Sequence, residues 1–386
     1  MFSRRTLTVG LILGLMVAML ASLSVSAQEA PVTLSGSASF RDADALNDSL
    51  VIDLGGVDAP AAGTKYEGWL KDATGNAISV GKLARTSSGT IKTTYKDASG
   101  ANLLAMYQVF IITSEPDPDL STASSGVVVY SDSVETGAFT HIGHLVVALS
   151  SNPDGKGAAK GLREQADLAL THVNLAKSSS TLADKQKHAQ HVINIIEGTT
   201  GANFDAGNDN PGDGKGIVNY AADVAVHATL AKEAAPDNAT VVAHADVVIA
   251  STNNAIASAE GTRNNALQVL AATADNIIVE TSMSNMVTNA ARALNGRDVD
   301  GDGSVRPFDI ITAGKVTANA DEGGAKLAYT SSQDMAQFAP LAGDVGTPGV
   351  GDALVPPIMM GALLAGMALV ASGGFLMHRR REEATT

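Results

Sequence analysis

Cysteine is absent from all 386 residues. The chain therefore has no disulfide, thiol nucleophile, cysteine-ligated zinc, iron–sulfur cluster or covalently attached c-type haem. Its folds rest on burial, or on metal ions held by other ligands. Aromatic residues make up only 4% and there is one tryptophan, while glycine numbers 38. Interior packing must come from close approach of small side chains more than from large rings. Positive charge is also scarce, with 26 Lys and Arg against 40 Asp and Glu, a net of −14. Setting aside Arg4, Arg5, Arg379, Arg380, Arg381, Glu382 and Glu383 at the two ends leaves 21 against 38, or −17 for the body. Such a surface argues against nucleic acid as a partner, because that binding rests on Lys and Arg neutralising phosphates. It suits a solvated exterior that binds cations. No phosphate-cradling loop is present: Gly212-Asp213-Gly214-Lys215-Gly216 lacks both the spacing and a preceding strand. Gly-x-Ser-x-Gly is missing as well, and no Ser/His/Asp order is defensible. The composition leans away from an enzyme.

Two segments are apolar enough to matter for location. Arg4 and Arg5 precede the apolar stretch Gly10 to Leu23, and Val25-Ser26-Ala27 offers small residues for cleavage, so residues 1–27 read as a signal peptide. Ile358 to Met377 is a run of 20 residues without charge, and His378-Arg379-Arg380-Arg381 follows. This predicts a single transmembrane helix over 356–378 with a cytoplasmic tail over 379–386. The expected location is a plasma membrane, with the bulk of the chain outside the cytoplasm. The membrane itself and an extracytoplasmic protein or small ligand are the expected partners.

Between these ends the chain reads as multidomain, all-β followed by all-α. Residues 28–133 carry short runs rich in Val, Ile, Thr and Tyr near Val32–Phe40, Leu50–Leu54, Tyr66–Lys71, Ala77–Leu83, Thr90–Tyr95, Leu104–Thr113 and Gly126–Tyr130. Turn residues separate them, which predicts a β-sandwich. Residues 134–156 read as a linker or a final strand, with His141 and His144 at its surface. Residues 157–310 read as a helical bundle, with helices over Gly161–Lys177, Leu182–Glu197, Ile217–Ala234, Ala239–Ala259 and Asn264–Leu294. Breaks fall at Ser178-Ser179-Ser180, at 198–216, at Pro236 and at Gly261, and Asp237 is a candidate cap for the fourth helix. Residues 311–355 lack periodicity and read as a flexible stalk.

Tyr66-Glu67-Gly68-Trp69-Leu70, Gly75, Val80-Gly81, Gly89 and Ile111-Ile112-Thr113-Ser114-Glu115-Pro116 together carry a family resemblance. Residues 63–131 resemble the extracytoplasmic domain of anti-sigma-K factors. The resemblance implies a sandwich module. Those factors also have a cytoplasmic sigma-binding domain ahead of their membrane helix, and this chain has none, so direct sigma-factor inhibition is not implied.

Three groups of residues point to ligand chemistry. Asp298-Val299-Asp300-Gly301-Asp302-Gly303-Ser304-Val305-Arg306-Pro307-Phe308-Asp309 resembles an EF-hand or dockerin-type loop. Asp298, Asp300, Asp302, Ser304 and Asp309 are its candidate calcium ligands, with Asp309 where glutamate is usual. A second acidic loop offers Asp205, Asp209 and Asp213 without regular spacing; it reads as a polar loop before it reads as a metal site. Finally, His172, His188, His191, His227 and His244 fall on four successive predicted helices. Imidazoles meeting inside a bundle would ligate haem or a transition metal. The ordinary alternative is that each bonds locally at its own helix seam, and the sequence favours that scattered arrangement. The functional expectation is a calcium-stabilised, membrane-anchored binding or sensing protein, with a haem- or metal-carrying redox module as the alternative.

Overall fold

The computed structural model describes residues 34–301, 303–307, 322–339 and 341–342. The expected signal peptide, transmembrane helix and tail, with Asp302 and Asp309, lie outside these residues. Among the described residues no helix is long and apolar enough to cross a membrane.

Among the described residues, 35–133 fold into two small antiparallel sheets, one of them extended by a short strand from the C-terminal part of the chain. Strands β1 (Ser35–Arg41), β2 (Ser49–Gly55) and β5 (Ile91–Lys96) form one, in the order β1-β2-β5. Strands β3 (Thr64–Lys71), β4 (Ala77–Leu83), β6 (Val109–Pro116), β7 (Val128–Ser133) and β8 (Leu341–Ala342) form the other, in the order β4-β3-β6-β7-β8. In β2 the period of two is clear: Leu50, Ile52 and Leu54 are buried while Val51 and Asp53 are exposed. They join Phe40 of β1 and Leu70, Phe110 and Ile112 of the larger sheet in one core. On β5 the alternation is only partial, because Ile91 is buried and Tyr95 half-buried but Thr93 is exposed. The other face of the larger sheet carries a small cluster of Trp69, Val109 and Ile111, in which the indole N–H donates to Thr113 Oγ1 at 2.9 Å.

Among the described residues seven α-helices follow β7: α1 (Thr136–Val146), α2 (Ala158–Ser178), α3 (Leu182–Glu197), α4 (Ile217–Ala234), α5 (Ala239–Ala271), α6 (Ile277–Asn295) and α7 (Ala325–Asp334). Their seams are lined by small residues. A Cβ added to Gly161 on α2 would sit 2.1 Å from the ring of Tyr220, which α4 buries completely. Only glycine permits that approach.

The structure departs from the sequence expectations in four places. Residues 134–156 are neither linker nor strand, since most of their first half is α1, packed on α4. The predicted break at Gly261 is absent, and the chain breaks instead at 272–276, inside the predicted helix Asn264–Leu294. Gly261 lies inside α5, where a Cβ would come within 2.9 Å of Asn289 Nδ2 on α6, so the glycine serves close packing. The α5 cap is Asn238, whose side chain accepts from Val241 N–H at 3.1 Å; it is not Asp237. Finally, the described part of the 311–355 segment is not a stalk. Helix α7 is packed against the other helices and β1, Tyr329 and Phe338 are buried, and β8 pairs with β7.

Candidate metal centres on the helical half

Six of the histidines gather into two trios. His141 and His144 lie three residues apart on α1 and face His227 of α4. His188 and His191 lie three residues apart on α3 and face His172 of α2. A separation of three places both imidazoles on one helix face, so each pair presents two rings to the neighbouring helix. Thr181 fixes the start of α3: its hydroxyl accepts from Asp184 N–H at 3.1 Å and donates to the Asp184 carboxylate at 2.6 Å.

The distances within the trios would suit a shared ion. His227 Nδ1 lies 3.2 Å from His141 Nδ1 and 3.3 Å from His144 Nδ1. His172 Nδ1 lies 3.4 Å from His188 Nδ1 and 3.3 Å from His191 Nδ1. Ligand-capable nitrogens of all three rings in each trio lie within 4.8 Å of one another. A ring nitrogen carries either one proton or one in-plane lone pair, so the central Nδ1 cannot bond both neighbours well. Metal–nitrogen distances of about 2.0–2.1 Å in a tetrahedral shell put neighbouring donor atoms about 3.3 Å apart. The observed separations match that value and lie at or just beyond the long end of the usual range for a hydrogen bond from N–H.

The electrostatics favour the neutral ligand form. Burial, and then the neighbouring His191 and His188, bring the His172 pKa down to about 4. Burial, and then His144 and His141, bring His227 down to about 4. Burial also lowers His141, His144 and His191, with Asp209 acting in the opposite direction on His191. A metal would therefore displace no proton from these rings at neutral pH. In the second trio His191 is buried and its Nε2 has no hydrogen-bond partner.

Of the histidines singled out from sequence, His172, His188 and His191 come together and His227 joins a different group. His244 joins neither; it is buried at the α5 seam, with Nδ1 unpartnered. There is thus no single axial site, and no four separate seams either. His141 and His144 escape a reading of the sequence in which 134–156 is a linker or a final strand. The available signal was the repeated His-x-x-His, at 141–144 and again at 188–191, each matched by one lone histidine on a nearby helix. Haem does not fit the contacts of the central histidines, because Nδ1 atoms 3.2–3.4 Å apart leave no plane between them for a porphyrin.

The second acidic loop is spent on structure. Asp205 N–H donates to Asn194 Oδ1 at 3.0 Å, and its carboxylate accepts from Gly207 N–H and Asn208 Nδ2. Asp213 accepts from the Tyr220 hydroxyl at 2.7 Å and pairs with Lys156 at 3.3 Å. Asp205, Asp209 and Asp213 do not form a metal group among the described residues.

In the calcium-type loop, Asp298 Oδ1 accepts from Gly301 N–H at 2.7 Å and Oδ2 from Gly303 N–H at 3.0 Å. Gly301 and Gly303 both take positive φ, as the turn requires. Asp298 and Asp300 are joined by a carboxylate the sequence reading did not include, that of the buried Glu322, which accepts from Val299 N–H at 2.8 Å.

No protein-family model, curated protein or solved structure matches this chain.

Proposed function

We propose that this chain is an envelope protein whose helical half binds transition-metal ions at two three-histidine sites. The observation that carries the reading is the meeting of Nδ1 atoms at 3.2–3.4 Å in both trios. Imidazole donors suit zinc, copper, nickel and iron, and discriminate weakly among them by affinity alone. Metal analysis of the full chain, loaded and then desalted, tests this. Two zinc or copper ions per chain are expected, and retention of none defeats the reading.

The anchoring proposal rests on sequence: the apolar run Ile358 to Met377 ahead of Arg379, Arg380 and Arg381, and the Gly10 to Leu23 stretch behind Arg4 and Arg5. The resemblance of residues 63–131 to an extracytoplasmic module supports the same placement. Protease added to intact spheroplasts is expected to digest the body and leave a short membrane-held C-terminal fragment. Complete protection of the body would reverse the orientation.

A second ligand, calcium, is supported by the arrival of Glu322 at Asp298 and Asp300. Glu322→Gln keeps an oxygen to accept from Val299 N–H but removes the charge. It and Asp300→Ala are each expected to abolish the rise in melting temperature on adding calcium, since binding stabilises the folded state by mass action. A wild-type chain that melts identically in calcium and in chelator would end this proposal.

A further inference from the structure

Both trios have the same donor chemistry, and that chemistry leaves something undone. Among the described residues no carboxylate joins either group. Each ion would therefore be held by three neutral imidazoles, two from one helix and one from its neighbour. Three donors do not complete a tetrahedral shell; structural zinc sites close it with four protein ligands, whereas reactive sites keep a position for water. The missing charge matters as much as the missing donor. Three neutral rings cancel none of a divalent ion's charge, and Asp209 near His191 and Asp223 near His227 offset it only from a distance; the remaining charge draws an anion and acidifies a bound water. Five of the six rings are only half-buried, His191 being the exception, so solvent reaches both groups.

Building on the metal-binding reading, we infer that each trio holds its ion as an open tripod. One coordination position is free for an exogenous small ligand, water or hydroxide at rest and a small anion when one is supplied. The sites are then exchange sites on the surface of the bundle, unlike a closed structural clip. The shared His-x-x-His-plus-His construction gives both the same vacancy.

The probe is azide on the copper(II)-loaded full chain in detergent, with the His172→Ala/His227→Ala double variant as the blank. Two coppers per chain are expected to remain after desalting. Excess azide should then add a charge-transfer absorption and shift the electron paramagnetic resonance spectrum at both sites. The single variant His227→Ala should show about half that amplitude, and circular dichroism checks that it is folded. Copper retained at two per chain, with spectra indifferent to azide, would mean that the protein closes the fourth position, and would overturn the open tripod alone. Copper lost on desalting would overturn the metal-binding reading and this inference with it.

Discussion

Replacing His227 with alanine is expected to lower bound zinc from two ions per chain to one, and replacing His172 to remove the other ion independently. Each of these residues is the centre of its trio. His227 Nδ1 is the atom that approaches both His141 and His144, and His172 Nδ1 the one that approaches both His188 and His191. Without it, two imidazoles on one helix remain, too few to hold a zinc ion in a tetrahedral site. The trios share no residue, so the losses should add and the double variant should bind none. Melting temperature gives a second readout. At a free zinc concentration a hundredfold above the dissociation constant, each site stabilises the fold by about 2.7 kcal/mol, and each variant should forfeit one such increment while its metal-free form stays folded. A single variant that loses both ions, or neither, would show that the trios are not two independent sites.

The same residues set an acid response in the metal-free chain. His172 and His227 have pKa values of about 4 when folded, below the ordinary value of 6.5. The unfolded chain therefore binds more protons between these limits. Stability from this source is complete above about pH 6.5 and is lost as pH falls towards 4. The alanine variants should flatten that part of the stability profile, measured by urea denaturation in chelator.

How far the sequence disclosed this arrangement depended on whether a residue's role was local. Helices α3 and α4 begin and end where their apolar spacing and flanking residues place them, at Leu182–Glu197 and Ile217–Ala234. The run of strands was legible for the same reason, because alternation and turn glycines are written into neighbouring residues. Gly261 misled because a glycine that breaks a helix and one that admits a neighbouring helix look alike until Asn289 is seen against it. Helix α1 misled because Thr136–Val146 is short and begins just after β7, so its helical spacing had no long apolar stripe to support it. The pairing of each His-x-x-His with a partner 83 residues or more away, or on the preceding helix, is a property of the packing. Glu322 was hidden likewise, being remote in sequence from the loop whose amides it accepts.

Phe338→Ala is expected to destabilise the protein by about 3–5 kcal/mol, the usual cost of deleting a buried phenylalanine and leaving a cavity. Nothing in the flanking sequence marks this residue as core, since it lies in a stretch with no periodicity. Yet its side chain is fully buried between the two sheets. Its ring stacks on Phe110 with centroids 5.9 Å apart and meets Phe40 edge-on at 5.6 Å. Its backbone exchanges two 2.9 Å hydrogen bonds with Ala38 of β1, just before β8 pairs with β7. The helix ahead of it is fastened to the same half. The Tyr329 hydroxyl donates to Asp42 at 2.8 Å beneath the Arg163 guanidinium, and Gln333 Nε2 donates to Asn47 Oδ1 at 2.7 Å. A cost of this size is a large share of the stability of an ordinary domain. Phe338→Leu, which keeps most of the apolar volume, should lose much less. Urea denaturation of the three chains, with calcium and zinc held constant, gives the comparison. A loss within about 0.5 kcal/mol for Phe338→Ala would be that of an exposed residue and would return this segment to the role of a stalk.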